Sequence, residues 1–335
     1  QRLGIPVILG SATPSLESYH NALQKRYGFL TLPQRAVAEA SLPHMSCVDI
    51  RRSALTEGLS AQLITALKQR LSRGEQSLLF INRRGYAPVL YCAACAWISA
   101  CQRCSSHLVV HLKQNRLRCH HCGHAAALPR HCPQCGSAEL APLGQGTQRI
   151  EAALKNFFPE ARILRIDRDS TRAKHALSTM LQQVHAREVD ILVGTQMLAK
   201  GHDFPKLTLV VVVNPDGALF SADFRAGEKL FQQLMQVAGR AGRADRPGEV
   251  LVQTQFPDHP LYGALVRQDF RSFAQVLLDE RQLAGFPPFI YQALLRAESQ
   301  HEAALMDFLG YAAARGGELA AAITLFDPVP ATMSK

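Results

Sequence analysis

No part of this sequence is apolar for long enough to cross a bilayer. The longest nearly aliphatic run, at residues 207–213, is interrupted by Thr208 and is far shorter than the ~20 residues that a membrane-spanning helix needs. No signal peptide is visible, although the start at Gln1, in the middle of a pattern, indicates a piece of a longer protein. These absences predict a protein without a membrane partner.

The sequence also lacks a nucleotide-binding P-loop and is poor in acidic residues. Gly-x-x-x-x-Gly-Lys-Ser/Thr occurs nowhere in the 335 residues, so this stretch has no P-loop of its own to hold nucleotide phosphates. Against 37 Lys and Arg there are only 27 Asp and Glu, a formal charge of +10. If eight cysteine thiolates bind two zinc ions, the net charge falls to about +6. The chain remains basic, which favours an anionic partner.

Cysteine is the densest chemical signal. Eight of the nine cysteines form four Cys-x-x-Cys pairs, and the ninth, Cys47, is expected to be a buried apolar residue. A Cys-x-x-Cys turn offers two thiolates to one tetrahedral ion, and two such turns complete a zinc site. Disulfides are the alternative, but four evenly built pairs in an expected cytosolic protein favour zinc. The eight candidate ligands are Cys92, Cys95, Cys101, Cys104, Cys119, Cys122, Cys132 and Cys135.

The four pairs can combine sequentially, interleaved or nested. Residues 108–118 read as two short strands around a polar Gln-Asn turn, which predicts a β-hairpin. The hairpin would bring its flanking pairs together, so Cys101 and Cys104 share one ion with Cys119 and Cys122. The outer pairs, Cys92/Cys95 and Cys132/Cys135, then form the other site. We therefore predict nested pairing.

Strands and helices alternate along most of the remaining chain, which predicts an α/β fold with a parallel sheet. The run at 207–213 suits a strand buried on both faces. Ser15 is predicted to cap a helix that follows an apolar strand at the start of the chain. Further strands are predicted at 77–81, 161–166, 190–193 and 249–253, and, around a helix at 301–315, at 289–297 and 323–326.

Residues 236–243 read Gln-Val-Ala-Gly-Arg-Ala-Gly-Arg at the end of a predicted helix. Arg240 and Arg243 lie one helical turn apart and can point the same way, and the glycines leave room for a bulky anion. Planar guanidinium groups suit phosphate, and such an arginine can stabilise charge on a transferring phosphoryl group. The alternative is an ordinary basic helix end favoured by the helix dipole.

These segments occur in the order found in a known group of enzymes. Residues 236–243 resemble motif VI of superfamily 2 helicases, 194–205 resemble motif V, 82–86 motif IV, and Ser-Ala-Thr at 11–13 motif III. Together with the cysteine pairs and the segment at 216–225, they resemble the primosomal protein N′ family of bacterial replication-restart helicases. The resemblance covers nearly the whole chain and implies the same nested zinc pairing.

The resemblance implies a RecA-like second helicase lobe, built on a parallel sheet and carrying an inserted two-zinc ribbon module. The tail of a first lobe would precede this lobe, and a partial C-terminal βαβ domain would follow it. The expected segments are 1–33 (end of lobe 1), 34–58 (connection), 59–90 with 143–285 (lobe 2), 91–142 (zinc insertion) and 286–335 (C-terminal domain).

The resemblance also implies roles for individual residues. Arg243 would be the arginine finger and Arg240 a second phosphate contact. The other expected positions are Gln236 (catalytic), Gly201 and Asp203 (nucleotide), Thr195, Arg83 and Arg84 (DNA), and Ser11 and Thr13 (coupling of the nucleotide site to DNA). For the nucleotide, DNA and coupling positions, ordinary strand-to-loop turns are the alternative.

By the same resemblance, the intact protein would be a 3′→5′ DNA helicase that uses ATP and Mg²⁺. It would act at forked DNA with other primosome proteins and single-stranded DNA-binding protein, as a monomer, in the bacterial cytoplasm near the nucleoid. The P-loop and the Asp-Glu motif of that family are not in these residues, so this chain alone is expected to be inactive as an ATPase. The rival interpretation is a zinc-ribbon binding module on a non-catalytic α/β scaffold, and a redox role for the cysteines is a third.

Overall fold

In the computed structural model of the chain, two groups of elements are distinct: a large parallel sheet with its helices, and a cysteine-rich insertion. The structure describes all residues except 1–4, 33–41, 83–88, 93, 96, 104–106, 112–114, 120–122, 143–146, 168–169, 172, 174, 199–203, 205, 222, 243–246, 300, 320–322 and 329–335. None of the helices in the described residues is long and apolar enough to span a membrane.

Outside the insertion, strands and helices alternate over the middle of the chain, whereas three strands come in succession near its start and three helices in succession near its end. The helices are α1 (Leu16–Leu23), α2 (Ala61–Ser72), α3 (Thr147–Phe157), α4 (Ala176–His185), α5 (Ala226–Ala238), α6 (Pro260–Arg267), α7 (Phe270–Leu283) and α8 (Glu302–Leu319). The strands are β1 (His44–Asp49), β2 (Leu55–Thr56), β3 (Leu59–Ser60), β4 (Gln76–Ile81), β5 (Leu90–Cys92), β6 (Leu108–His111), β7 (Arg116–Cys119), β8 (Ala125–Ala127), β9 (Leu140–Pro142), β10 (Ile163–Ile166), β11 (Ile191–Gly194), β12 (Leu207–Val213) and β13 (Glu249–Thr254).

The large sheet has six strands in the order β1-β13-β12-β4-β11-β10. All of its strand pairs are parallel. The predicted α/β fold with a parallel sheet is therefore confirmed. The aliphatic run of β12 is buried at every position, as expected for a strand covered on both faces.

Helices cover both faces of this sheet, and alternate residues of each strand face opposite ways. On one face, Leu78, Val210 and Val252 pack in a cluster with residues of α4, α5, α6 and α7. On the other face, Leu79 and Val211 pack with residues of α2 and α3. Leu63 and Leu67 of α2 are fully buried in this second cluster.

One element of the sheet was not expected. Residues 44–49 fall in the stretch assigned to a connection between lobes, yet they form β1, the edge strand paired with β13. Only Met45 and Val48 are fully buried in this strand. An edge strand pairs with a neighbour on one side only and keeps polar positions such as Ser46 and Asp49. Its sequence therefore lacks the apolar pattern of the inner strands. Cys47, expected to be buried, is half-buried on β1 and packs against the core.

Three expected strands are not formed. Residues 5–10 and 291–299, and residues 323–328 after α8, contain no strand. Their apolar side chains are largely exposed, including Ile8 at 88%, Tyr291 at 95% and Phe326 at 84%. A strand needs a hydrogen-bonding neighbour, and an alternating apolar pattern alone does not supply one. Of the expected βαβ arrangement at the end of the chain, the described residues thus show the helix, α8, and neither strand.

The cysteine-rich insertion lies between β4 and α3 and has its own small core. Strands β6, β7 and β8 form an antiparallel sheet, which confirms the predicted hairpin and adds a third strand. Strands β5 and β9 pair at the two ends of the insertion, with Leu90 opposite Pro142 and Cys92 opposite Leu140. The chain therefore enters and leaves the insertion side by side.

Candidate functional site

The outer cysteine pairs meet at the base of the insertion. The side chains of Cys92, Cys95, Cys132 and Cys135 offer sulfur atoms that all lie within 4.8 Å of one another. The Sγ atoms of Cys92 and Cys135 are 3.7 Å apart, and those of Cys95 and Cys132 are 3.6 Å apart. In a tetrahedral zinc site with Zn–S bonds of 2.3 Å, neighbouring sulfurs are about 3.8 Å apart. These four side chains therefore fit one metal ion.

The backbone near Cys132 favours the thiolate form. Burial acts to raise the pKa of this thiol, but hydrogen bonds from the backbone of Cys135 and Gln134, and from the neighbouring cysteine side chains, lower it to about 7. Burial raises the pKa of Cys95 to about 12. Since metal ions bind thiolates, the amides around Cys132 prepare one ligand for an ion.

The inner cysteines are described in part. Cys119 is buried at the end of β7 and Cys101 is buried in the segment before β6, whereas Cys104 and Cys122 lie outside the described residues. Gly123 at φ +73° donates to the carbonyl of Cys119, whose own amide donates to the carbonyl of His124. The turn at Cys132 has the same bonds, from Gly136 to Cys132 and from Cys132 to Ser137, with Gly136 at φ +75°. The two turns are thus built alike.

The arginine-rich segment follows α5. Gln236 is exposed on this helix and Arg240 is half-buried two residues beyond its end, while Arg243 lies outside the described residues. The Gly242 amide, at φ +76°, donates to the carbonyl of Leu207 at 2.9 Å. Leu207 is the first residue of β12, so this hydrogen bond holds the segment at the end of the sheet where β12 starts. Gly201 and Asp203, which precede β12, are also outside the described residues.

Thr195, one of the expected DNA-contacting residues, lies at the opposite end of the sheet. Thr195 follows β11 and is 5% exposed, and Arg83 and Arg84, outside the described residues, come just after β4. The residue before Thr195 is Gly194, and a larger residue would not fit there. A Cβ at this position would lie 2.3 Å from the Leu198 side chain and 2.8 Å from the Ile166 carbonyl oxygen. The carboxyl ends of parallel strands are where ligands of α/β folds bind.

Ser11 and Thr13 lie just before α1. Ser11 is exposed, and its hydroxyl accepts a 3.1 Å hydrogen bond from the amide of Thr13, which is 7% exposed. The expected cap of α1 is confirmed, because Ser15 Oγ accepts from the Ser18 amide at 3.2 Å. Gln232 of α5 donates to the Pro14 carbonyl at 3.3 Å. Gln232 lies about two helical turns before Arg240, so among the described residues α1 meets α5 well before its arginine end.

A buried ion pair that the sequence did not reveal attaches α1 to α5 and α7. Glu228 accepts from the amide of Leu16 at 3.1 Å and from Arg281 Nη2 at 2.6 Å. Both charged side chains are nearly inaccessible, at 6% and 4% exposure. The carboxylate is in the first turn of α5 and meets a free amide at the start of α1, so both helix dipoles favour its charge. In the sequence, the one indication of this ion pair is that Glu228 lies three residues before Phe231, which is buried on the same helix.

Two further residues extend this joint towards the surface. Glu17 accepts from Arg225 at 2.9 Å and from Arg281 at 3.4 Å. Beside these ions, Leu16 and Tyr19 of α1 pack with Ala274 and Leu278 of α7. We call the set Glu17, Arg225, Glu228 and Arg281 the α1 joint.

Family models match two stretches of this chain. Residues 101–126 match the PriA DNA helicase Cys-rich region (CRR) domain, and residues 144–245 match the helicase conserved C-terminal domain. The first stretch contains the inner cysteine pairs, and the second runs from the end of the insertion through α5 and the arginine-rich segment.

Proteins named replication restart protein PriA are similar over nearly the whole chain. The relative from Haemophilus influenzae is 48% identical over 301 residues, which are 90% of this chain and 41% of that protein. The relatives from Bacillus subtilis and Synechocystis sp. are 40% and 42% identical over 89% of this chain, and 37% of each is covered. The chain thus spans about two fifths of the length of these relatives.

These matches confirm the resemblance drawn from the motifs. The cysteine-rich stretch and the sheet that carries it are matched together, in the same order, by a single group of relatives. The chain therefore contains a stretch that matches the PriA Cys-rich region, followed by one that matches the helicase conserved C-terminal domain, and the relatives reported above are named replication restart protein PriA.

Proposed function

We propose that this chain is the second motor lobe and metal-binding region of an ATP-dependent 3′→5′ DNA helicase that acts in replication restart. The proposal depends on one combination of features: a four-sulfur cluster and a parallel sheet that matches a helicase domain, in a chain that is 40–48% identical to proteins named replication restart protein PriA. Its DNA would be forked, and its other partners would be primosome proteins and single-stranded DNA-binding protein. We also propose that it acts as a monomer in the bacterial cytoplasm, close to the nucleoid.

The metal in this proposal is zinc, two ions for each chain. Cys92, Cys95, Cys132 and Cys135 would hold the first, and their sulfur spacing supports this set. Cys101, Cys104, Cys119 and Cys122 would hold the second, which the shared turn geometry at Cys119 and Cys132 supports. Four thiolates leave no open coordination position, so zinc here would stabilise the fold and not take part in a reaction.

The nucleotide in this proposal is ATP with Mg²⁺, and the chain supplies only part of its site. Arg243 would be the arginine finger, Arg240 a second phosphate contact and Gln236 a further catalytic group, with Gly201 and Asp203 close to the nucleotide. The bond from Gly242 to Leu207 supports this grouping, because it holds the arginine segment beside the start of β12. At the other edge, Thr195, Arg83 and Arg84 would contact DNA phosphates, with Ser11 and Thr13 coupling the two sites.

Substituting the two arginines in the full-length protein tests the catalytic part of the proposal. Arg243→Ala should lower DNA-stimulated ATPase activity by about 10³-fold or more, because an arginine finger contributes that much to phosphoryl transfer, and Arg240→Ala should also lower it. Binding of forked DNA should change little, as measured by fluorescence anisotropy. Arg187→Ala, on the loop before β11, is the matched control and should retain activity. Normal ATP turnover in Arg243→Ala would remove the assignment.

The rival proposal is a metal-bound module that binds nucleic acid or protein on a non-catalytic scaffold. A full-length protein that binds two zinc ions and forked DNA but shows no DNA-stimulated ATPase activity would favour it. A redox role for the cysteines is a third proposal. Two zinc ions retained for each chain after mild oxidation would dismiss it.

A further inference from the structure

The loop at residues 216–225 joins β12 to α5 and touches three separate parts of the molecule. Its start is fixed to the sheet. Asp216 is buried and accepts hydrogen bonds from Thr254 Oγ1 at 2.5 Å, Tyr262 OH at 2.6 Å and the Gln255 amide at 2.9 Å. These donors come from the end of β13, the residue after it, and α6. The first turn of the loop therefore cannot move without breaking a buried hydrogen-bond network.

The middle of the loop contacts the cysteine-rich insertion. The Phe220 ring packs edge-on against His107, with ring centroids 5.3 Å apart, and against Phe256, 5.1 Å apart. His107 directly precedes β6, whose first residue, Leu108, is paired with Cys119. Phe220 thus lies between the start of the β6–β7 hairpin, which ends at Cys119, and the residues that follow β13.

The end of the loop contacts the α1 joint. Phe224 stacks on Phe286 with centroids 4.7 Å apart and planes 4° from parallel. The guanidinium groups of Arg225 and Arg281 lie 4.3 Å and 4.9 Å from the centre of the Phe224 ring. Because Arg225 also binds Glu17, this end of the loop is attached to α1 and α7 at once. A cation close to an aromatic face adds attraction to the ion pairs.

We propose that the 216–225 loop is a coupling element that links the state of the cysteine-rich insertion to the position of α1 and α5. Phe220 and Phe224 are the positioning residues. The inference rests on the proposed function where it concerns unwinding, but the physical linkage does not depend on that function.

The geometry favours coupling over independent packing. Phe220 and Phe224 are four residues apart on one short loop, and α5 begins two residues after Phe224. Since Asp216 holds the start of the loop, a displacement of Phe220 by the insertion is passed towards Phe224 and α5. The far end of α5 carries Gln236 and leads to Arg240, and α1 directly follows Ser11 and Thr13. The loop therefore joins the metal-binding region to both candidate ATP-coupling segments.

The first test measures the linkage itself by hydrogen exchange in the full-length protein. Removing metal with a chelator should raise amide exchange in α1 of the wild type, and this response should fall at least about fivefold in Phe220→Ala and in Phe224→Ala. Phe157→Ala is the matched control, since Phe157 is also half-buried in an edge-on aromatic pair, but on α3. It should respond like the wild type. If α1 exchange in the wild type ignores metal removal, the proposal is overturned.

The second test measures base pairs of forked DNA unwound for each ATP hydrolysed. Phe220→Ala should keep its metal and its DNA-free ATPase rate but lose at least about fivefold in this ratio. Phe220→Leu, which retains apolar bulk, should recover part of it. If Phe220→Ala loses metal, Phe224→Ala decides the question because Phe224 packs against Phe286 and the arginines of the α1 joint. An unchanged ratio in Phe224→Ala overturns the coupling. A wild type that unwinds no DNA refutes the proposed function instead, and leaves the exchange test valid.

Discussion

Glu228 holds two helix N-termini and a buried arginine with one carboxylate. Its oxygens accept from the Leu16 amide, from Gln232 and from Arg281. Removing one partner of such a buried pair leaves the other charge in a low-dielectric site without compensation, which costs far more than losing a surface pair. The stability of the joint therefore depends on the pair remaining complete.

We predict that Glu228→Gln destabilises the chain by about 3 kcal/mol, because the amide leaves Arg281 without its counter-charge. Glu17→Gln removes a carboxylate that is 32% exposed and should cost less than about 1 kcal/mol. Urea denaturation followed by circular dichroism measures both. Equal effects of the two substitutions would show that burial does not govern this network.

Asp167 offers a pH-dependent prediction. Burial acts to raise its pKa, but hydrogen bonds from Ser170, Thr147 and Arg165 lower it to about 2. A carboxylate whose pKa is lower in the folded state stabilises the fold above its unfolded pKa of about 3.9, and this contribution disappears as the pH falls towards 2. The contribution is on the order of 2 kcal/mol.

We therefore predict that Asp167→Asn destabilises the chain most at pH 5–6 and progressively less towards pH 2.5. Unfolding free energies from urea titrations at each pH measure the difference from the wild type. Asp279→Asn, on the exposed face of α7, is the control and should show no such trend. A loss for Asp167→Asn that is constant across this range would contradict the assigned ionisation.

At the scale of elements, the cysteine-rich insertion is built as a separate unit. Its sheet of β6, β7 and β8 has its own small core, which includes Leu108, Val110 and Leu117. The outer cysteines bring β5 and the turn after Cys132 together. Loss of one of them should therefore loosen the insertion and leave the six-stranded sheet folded.

We predict that Cys92→Ser binds one zinc ion fewer than the wild type, because three thiolates hold the ion much less tightly than four. Zinc content by atomic absorption and the thiolate bands of the cobalt-substituted protein measure the loss. The far-ultraviolet circular dichroism signal should change little. Cys47→Ser is the control and should keep all of its metal, since Cys47 is on β1 and is not part of the four-sulfur cluster. Undiminished zinc in Cys92→Ser would exclude this cysteine as a ligand.

The elements that the sequence predicted well are those with strong local signals. The aliphatic run of β12 was placed with its observed bounds, and the Ser15 cap located α1. In contrast, β1 was missed because an edge strand keeps polar positions. The strand expected at 289–297 is absent because its apolar residues have no neighbour to pair with. Local patterns report burial and propensity, whereas strand pairing depends on distant partners.

The same distinction applies to the functional residues. The cysteine pairs are visible because ligand spacing is local, and the hairpin between Cys104 and Cys119 indicated their pairing. The Glu228 and Arg281 pair was not predictable, since the two residues are 53 positions apart and meet only where three helices pack. The contact between Phe220 and His107 likewise requires the insertion to fold back onto the loop before α5.

At the scale of the whole molecule, candidate phosphate contacts lie at opposite ends of the strands of one sheet. The arginine segment lies beside the start of β12, and Thr195 lies at the end of β11. A strand rises about 3.3 Å for each residue, so the two ends of the sheet are separated by roughly the length of a strand. An anion bound at one end therefore does not touch the candidate contact at the other.

We predict that this chain alone neither binds ATP tightly nor hydrolyses it, because its sequence supplies no P-loop for the nucleotide phosphates. Isothermal titration with ATP and Mg²⁺, and phosphate release with and without forked DNA, measure this. The full-length protein is the positive control. DNA-stimulated hydrolysis by the 335-residue chain would contradict the prediction and place a complete phosphate site within these residues.

The pairing of β5 with β9 has a consequence for how such a lobe could arise and be engineered. Because Leu90 and Pro142 are direct neighbours across that ladder, excising everything between them leaves two chain ends that a tight turn can rejoin. The cysteine-rich insertion can therefore act as a cassette, a unit that is gained or lost at one point of the chain without changing the order of the strands in the six-stranded sheet. A shortened variant closed by Asn-Gly would be a minimal lobe in which the contribution of the cassette could be measured by its absence.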